Sequence, residues 1–256
     1  MKVVILAGGL GTRLSEETNK RPKPLVEIGE KPIIWHIMKY YSHFGHKDFI
    51  ICAGYKSYQF KEYFLNYHYH NCNLAINTYN GEVKFYDQKA DDWNVTIIDT
   101  GLNTMTGGRL KRIAHLIQPD ENFFMTYGDG LSNVNLHDLQ TFHESHDKHA
   151  TVTTVTPQGR FGAVKSENGQ VICFTEKPSG EVGEINGGFF VLNKKIFDYI
   201  SGDQCIFERS PLENLTHDRQ LMAYKHNGFW HPMDTVRDKI ILNNMVEKGD
   251  APWKVW

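Results

Sequence analysis

Runs of apolar residues separated by turn signals divide this chain into alternating strands and helices. Val3-Val4-Ile5-Leu6 is apolar at every position and rich in β-branched side chains, which predicts a buried strand. Lys31-Pro32-Ile33 opens a helix whose buried stripe is Ile34, Ile37, Met38, Tyr41 and Phe44, and Gly45 closes it. Asp48 to Ala53 reads as a second strand and Tyr58 to Tyr67 as a second helix. Strand and helix in alternation are the mark of a parallel sheet with helical crossovers. Between Asn73 and Thr100 the pattern shifts to short strands, at Leu74 to Tyr79, Glu82 to Tyr86 and Val95 to Asp99. Asn80-Gly81 there supplies a hairpin signal, so this stretch reads as a small β-rich insertion or edge addition. A basic helix over Gly107 to Ile117 precedes a buried strand, Phe123 to Tyr127, that ends at Gly128-Asp129-Gly130. The rest predicts helices at Leu136 to Lys148, Pro211 to His217 and Val236 to Val246. Further strands are predicted at Thr151 to Thr156, Val171 to Glu176 and Ile185 to Leu192. No repeat, low-complexity tract or linker interrupts the sequence, which predicts one α/β domain over residues 1–256.

Charge narrows the function classes. Lys and Arg number 28 against 30 Asp and Glu, a formal net charge of −2, whereas a general nucleic-acid or anionic-membrane binder carries a basic footprint. Positive charge that matters must be local. Cys52, Cys72, Cys173 and Cys205 form no C-x-x-C pair, and Cys52 and Cys173, within apolar strand-like runs, read as buried free thiols. No apolar run approaches the roughly 18 residues of a membrane-spanning helix, so the expectation is a cytoplasmic protein. The 13 histidines complete no metal-ligand pattern: His68 and His70 point to different helix faces, and His143, His146 and His149 lack a Cys or carboxylate cluster.

Candidate chemistry begins where the first strand ends. Leu6-Ala7-Gly8-Gly9-Leu10-Gly11-Thr12-Arg13 places three glycines in four positions, able to take positive φ and to bring backbone N–H groups close to an anion. Arg13 adds a forked cation and Lys23, in Lys20-Arg21-Pro22-Lys23-Pro24, a compact one. Neither the dinucleotide fingerprint nor the Walker loop fits this string. A polyphosphate is the ligand it suits, although a Gly-Gly-x-Gly string by itself equally describes a tight strand-to-helix turn. Asp129 follows a buried strand, where ligands of open α/β sheets bind, and suits a Mg²⁺ ligand beside phosphates, although Gly128-Asp129-Gly130 by itself equally describes an Asx turn. Asp234, just before the last helix, reads on spacing alone as that helix's N-cap. No nucleophile–base pair is evident, so the implied chemistry is electrostatic positioning of phosphates.

The glycine loop with Lys20 to Pro24, followed in order by Gly128-Asp129-Gly130, Phe174-Thr175-Glu176-Lys177-Pro178 and Asn186-Gly187-Gly188-Phe189, resembles the signature of sugar-phosphate nucleotidyltransferases over essentially the whole chain. Thr106-Gly107-Gly108-Arg109 and Trp230-His231-Pro232-Met233-Asp234 look like the branch that transfers cytidylyl groups to glucose 1-phosphate; thymidylyl and uridylyl relatives carry a different segment at the first of these. The resemblance implies a Rossmann-like three-layer α/β/α mixed sheet. Residues 1–130 would mainly bind nucleotide and 131–256 mainly sugar phosphate. It implies that Leu6 to Arg13, Lys23, Thr104, Gly108, Arg109 and Gly128 contact CTP. Arg13 and Lys23 would act at the reacting phosphates, Asp129 and Asp234 would hold Mg²⁺, and Glu176, Lys177, Asn186, Gly187 and Gly188 would bind the sugar phosphate. It further implies a homo-oligomer, a hexamer, supplying CDP-glucose for bacterial surface polysaccharides, with Asn73 to Thr100 as a candidate subunit contact. Because Arg is a donor-only side chain, Arg109 aimed at the pairing edge of the base would favour cytosine over uracil. UTP or dTTP in place of CTP, and a non-catalytic sugar-nucleotide sensor, are the alternatives.

Overall fold

The computed structural model describes residues 1–87, 90–118, 121–157, 163–167, 170–175 and 183–256, with the backbone alone for 163–167 and 170–175. The first half runs β1 (Val3–Leu6), α1 (Ile33–His43), β2 (Asp48–Ala53), α2 (Ser57–Leu65), the hairpin β3 (Asn73–Ile76) and β4 (Val83–Tyr86), β5 (Asn94–Asp99), α3 (Thr106–Ile113) and β6 (Asn122–Tyr127). The second half runs β7 (Gly130–Ser132), α4 (Leu136–Glu144), β8 (Ala150–Val155), β9 (Ala163–Glu167), β10 (Gln170–Thr175), β11 (Ile185–Asn186), β12 (Phe190–Asn193), α5 (Ser210–His217), β13 (Leu221–His226), β14 (Trp230–Pro232) and α6 (Val236–Lys248).

The central sheet has eight strands in the order β13, β8, β12, β6, β1, β2, β5, with the short β11 also on β8. β6, β1, β2 and β5 are mutually parallel, while β12 runs antiparallel to both β6 and β8. Because β1 is buried on both faces, its alternate side chains feed two cores. Val3 and Ile5 join Ile34, Ile37 and Met38 of α1, Leu139 of α4 and Leu242 of α6. Val4 and Leu6 join Leu110 and Ile113 of α3 and Leu215 of α5. Helices therefore cover both faces of the sheet, giving the expected three layers.

The chain leaves β1 toward β2 and β5, then returns to place β6 on the other side of β1. The crevice at that reversal is where open α/β sheets bind ligands. Leu6 is in register with Cys52 and Tyr127, so the loops after β1, β2 and β6 emerge side by side.

Several expectations need correction. The strand expected at Val95 to Asp99 is no insertion: β5 pairs with β2 along its whole length, and only the β3–β4 hairpin stands apart. Asn80-Gly81 sits in a six-residue loop, residues 77–82, closed by the Gly81 N–H on the Asn77 carbonyl, rather than in a two-residue turn. Lys31-Pro32 pairs with Glu27-Ile28 before the helix begins. The strand expected over Ile185 to Leu192 is broken. Thr154 pairs with Asn186 and Thr151 with Val191, so two extra residues bulge at Gly187 to Phe189, where Gly188 has φ +75°. β13 was not foreseen, because as a half-exposed edge strand ending in Lys225 and His226 it lacks an apolar run.

Candidate active site

The three loop glycines serve three different purposes. Gly11 has φ +64°, and a Cβ there would also lie 2.7 Å from Thr18 Cγ2. A Cβ at Gly8 would fall 2.0 Å from Nη1 of Arg109, so that position is filled by a guanidinium. A Cβ at Gly9 would meet nothing within 4 Å, because it faces the open cavity. Among the described residues the backbone N–H groups of Gly9, Leu10 and Gly11 donate to no protein acceptor, which leaves them for an anion. The loop lines a cavity of about 640 Å³ together with Lys23, Pro24, Leu102 to Thr106, Arg109, Tyr127, Gly128, Asp129 and Gln204.

The charged front of this cavity is a four-residue cluster. Lys23 lies in a short 3₁₀ turn following Pro22 and is almost fully buried. Its Nζ donates to Asp129 Oδ2 at 2.5 Å and to Asp234 Oδ1 at 2.8 Å. Arg13 Nη1 donates to the other oxygen of Asp234 at 2.8 Å, with its side chain 69% exposed. Tertiary pairing unites the two carboxylates across 105 residues of sequence: β14 runs antiparallel to β7, and the Met233 N–H donates to the Asp129 carbonyl at 2.8 Å. Asp234 is also not the N-cap of α6. Thr235 caps that helix in a reciprocal box with Asp238, so the Asp234 carboxylate is free for other work.

Two carboxylates converging on one ammonium form a cation site by construction. Mg²⁺ is usually held by one or two carboxylates plus phosphate oxygens, and Asp129 and Asp234 meet that requirement. No group of three or more His, Cys, Asp or Glu suited to a metal occurs among the described residues, so phosphate oxygens and water would complete the shell.

Arg109 departs from expectation. It is only 5% exposed, and both terminal nitrogens are turned inward. Nη1 donates to Ala53 O, Thr100 Oγ1 and Gly101 O at 3.2, 2.7 and 2.8 Å, and Nη2 to Gly8 O and Leu102 O at 3.0 and 3.3 Å. Burial lowers its pKa, with the charge of Asp99 acting the other way. A guanidinium committed to five acceptors does not present those donors to the edge of a base. Arg109 still contributes to the cavity wall, but its hydrogen bonds tie the β1 loop to the loops after β2 and β5. Gly108, by contrast, is not on that wall. A Cβ there would lie 2.5 Å from Asp203 O, and one at Gly107 2.8 Å from Cys205 O, so both glycines let α3 pack against the backbone at 203–205.

Of the residues expected on the sugar side, Glu176 and Lys177 lie outside the described residues. Asn186, Gly187 and Gly188 form the β11–β12 bulge. Asn186 Oδ1 accepts from the Gly188 N–H at 2.8 Å, Trp230 Nε1 donates to Gly187 O at 2.7 Å, and Asn186 Nδ2 reaches the Tyr127 hydroxyl at 3.4 Å. Tyr127, Thr106, Asn103 and Gln204 are cavity residues that sequence reasoning missed. The signal for Tyr127 was its place as the one hydroxyl-bearing ring closing an apolar strand before Gly128.

The sequence model for nucleotidyl transferases matches residues 2–235. The chain is 53% identical over 256 residues, all of both chains, to glucose-1-phosphate cytidylyltransferase of Salmonella typhi. It is 46% identical over 257 residues, again the full length of both, to the probable glucose-1-phosphate cytidylyltransferase of Bacillus subtilis. Among solved structures, an apo UDP-glucose pyrophosphorylase superposes with TM-score 0.70 at 18% identity, covering 97% of this chain and 98% of the other. HddC from Yersinia pseudotuberculosis gives 0.68 at 23%, covering 96% and 99%. These likenesses agree in the fold, and with the cation–carboxylate front at the sheet's reversal point they lead to one assignment: the chain belongs to the nucleotidyl transferase family, whose members work with a divalent metal.

Proposed function

We propose that this protein transfers a cytidylyl group from CTP to glucose 1-phosphate, releasing CDP-glucose and pyrophosphate, with Mg²⁺ as the metal. The observation that carries the chemistry is the convergence of Lys23 on Asp129 and Asp234 at the mouth of the glycine loop. The choice of nucleotide and sugar rests on the full-length likeness to glucose-1-phosphate cytidylyltransferases.

A phosphate oxygen of the sugar phosphate attacks the α-phosphorus. A new P–O bond forms as the bond to the β-phosphate breaks, and the electron pair leaves with pyrophosphate. The attacking oxygen already carries negative charge, so no protein base is required, and the protein's work is positioning and charge neutralisation. A divalent cation between Asp129 and Asp234 would offset the charge gathering on the triphosphate. Lys23 and Arg13 are held by those same carboxylates. Lys23 and Arg13 therefore change partners when nucleotide enters, Lys23 toward the reacting centre and Arg13 toward the departing pyrophosphate. The free N–H groups of Gly9 to Gly11 receive phosphate oxygens. Glu176, Lys177 and the Asn186 to Gly188 bulge take the sugar phosphate.

The test is incubation with glucose 1-phosphate, Mg²⁺ and CTP, UTP or dTTP separately, following pyrophosphate. Release with CTP at least tenfold faster than with the others is expected. Equal or faster release with UTP or dTTP overturns the assignment of the base, and binding of CDP-glucose with no release from any triphosphate overturns the enzyme.

The protein also acts as a homo-oligomer, a hexamer, in the cytoplasm, making sugar nucleotide for surface polysaccharide. What supports the oligomer is the set of exposed apolar side chains on and beside the β3–β4 hairpin, Leu65, Tyr69, Ile76, Tyr79 and Tyr86, with Tyr79 98% exposed. Light scattering on the double variant Ile76→Ser, Tyr79→Ser should show a smaller assembly. A monomeric wild type would remove the proposal. No described helix is long and apolar enough to cross a membrane.

A further inference from the structure

Glu208 lies behind the cavity wall, on the segment leading into α5, and is not itself on that wall. Its two carboxylate oxygens are divided between two residues that are. Oε1 accepts from the Tyr127 hydroxyl and Oε2 from the Thr106 hydroxyl, both at 2.6 Å. These hydroxyls stand at the end of β6 and at the start of α3. Thr106 Oγ1 in turn accepts from the Phe207 N–H at 2.9 Å, so its proton is directed onto Glu208. Both hydrogen bonds that Glu208 accepts among the described residues come from neutral hydroxyls, so a half-buried carboxylate is held here for what it orients.

What it orients is the Tyr127 ring, which lines the nucleotide cavity. The ring also meets the bulge: its Cδ2 would lie 3.1 Å from a Cβ at Gly188, and its hydroxyl receives Asn186 Nδ2 at 3.4 Å. The connection therefore runs Thr106, Glu208, Tyr127, Asn186, from the nucleotide wall to the bulge between β11 and β12. Burial, and next the charge of Glu208, raise the pKa of Tyr127, so its hydroxyl remains a donor throughout the physiological range.

We propose that Glu208 is a positioning residue for the acceptor. By holding the Tyr127 hydroxyl it fixes the ring against Asn186 and Gly188, so that the sugar phosphate is presented in line with the nucleotide. This rests on the reading of the bulge as the sugar-phosphate side. A ring released from Glu208 would rotate or shift, and loss of alignment at a reacting centre is felt in acceptor use more than in nucleotide binding.

The experiment compares Glu208→Gln, Glu208→Ala, Tyr127→Phe and the double variant Glu208→Ala, Tyr127→Phe with wild type. Calorimetry reads CTP and glucose 1-phosphate binding, kinetics read KM for each substrate with kcat, and thermal unfolding reports the fold. Glu208→Ala should raise KM for glucose 1-phosphate about tenfold while the CTP dissociation constant moves less than about threefold. Glu208→Gln, which can accept from only one of the two hydroxyls, should fall between. The double variant should be no worse than the more impaired single variant, because both remove one linkage. Unchanged KM for glucose 1-phosphate in Glu208→Ala overturns the proposal. So does an additive double variant, or a loss of CTP affinity and Tm in proportion to the loss of acceptor use. A wild type that releases no pyrophosphate refutes the enzyme reading instead, and the calorimetric arms then still decide whether Glu208 governs sugar-phosphate binding.

Discussion

Two cationic clusters border the glycine loop, and they are built on opposite terms. At the front, Lys23 and Arg13 are paired with Asp129 and Asp234, formal charges that a metal and a triphosphate can each take over. At the back, Arg109 is buried against neutral acceptors from three loops, and glycine at positions 8 and 54 leaves it room. The front cations hold their partners by charge, which a ligand carrying charge of the same sign can match. The rear cation holds carbonyl groups that no ligand can supply, so it shapes the loop without leaving it. Both are conspicuous basic residues in the sequence, and only their partners tell them apart.

The largest effect should come from removing the exchangeable anions. Asp129→Ala or Asp234→Ala should reduce turnover about a thousandfold at saturating Mg²⁺, with little change in Tm. Undiminished turnover in steady-state pyrophosphate assays would dissolve the distinction between the clusters. Arg109→Ala should act on stability: Gly101 O and Leu102 O lose the guanidinium, and a loss of about 4 kcal/mol in denaturant unfolding is expected. Arg109→Lys should not restore it, because an ammonium cannot span the five acceptors. Gly8→Ala should cost about 2 kcal/mol in the wild type and much less in the Arg109→Ala background, since the clash is with that guanidinium.

Acid should strike the buried interior. His36 is buried, with its Nε2 at 2.9 Å from Ile28 O and its Nδ1 accepting from Trp253 Nε1 at 3.3 Å, and burial lowers its pKa to about 4. Both ring nitrogens are satisfied in the neutral form. Unfolded chains bind this proton below about pH 6.5 and the folded one only below about 4, so stability is full above 6.5 and falls as pH drops through that window. With about 1.4 kcal/mol lost for each pH unit inside it, His36 contributes a loss of about 3 kcal/mol by pH 4. Urea midpoints measured from pH 7 to 4 check it, and His36→Gln should flatten the decline. The smallest effect concerns cation exchange itself. Lys23→Met should bind Mn²⁺ in the absence of nucleotide about tenfold more tightly than wild type, as read by electron paramagnetic resonance, although its turnover falls. Unchanged Mn²⁺ affinity would mean that Lys23 does not compete for the metal's place.

Much was legible in the sequence because it is local. The apolar run of β1 and the stripe of α1 each state their conformation within about a dozen residues, and alternation of such segments suffices for a parallel α/β sheet. The grouping of Arg13, Lys23, Asp129 and Asp234 came from matching motifs, since nothing between residues 129 and 234 specifies that β14 pairs with β7. β13 escaped because an edge strand need be apolar on only part of one face.

Tertiary structure decided the roles within those motifs. The sequence determined that glycine occurs at 8, 9 and 11. Only the packed chain reveals that one makes room for Arg109, one faces the open cavity and one adopts a left-handed backbone. The sequence also supplied an arginine at 109 with donors suited to cytosine, but the fold spends those donors on loop carbonyls, because buried carbonyls left unpaired cost more than a cation's position gains. Glu208 carried no motif at all, and it gained its place at the site from two hydroxyls that reach it from β6 and α3. Spacing along the chain fixes what a residue can donate or accept, and distance across the fold fixes which partner it meets.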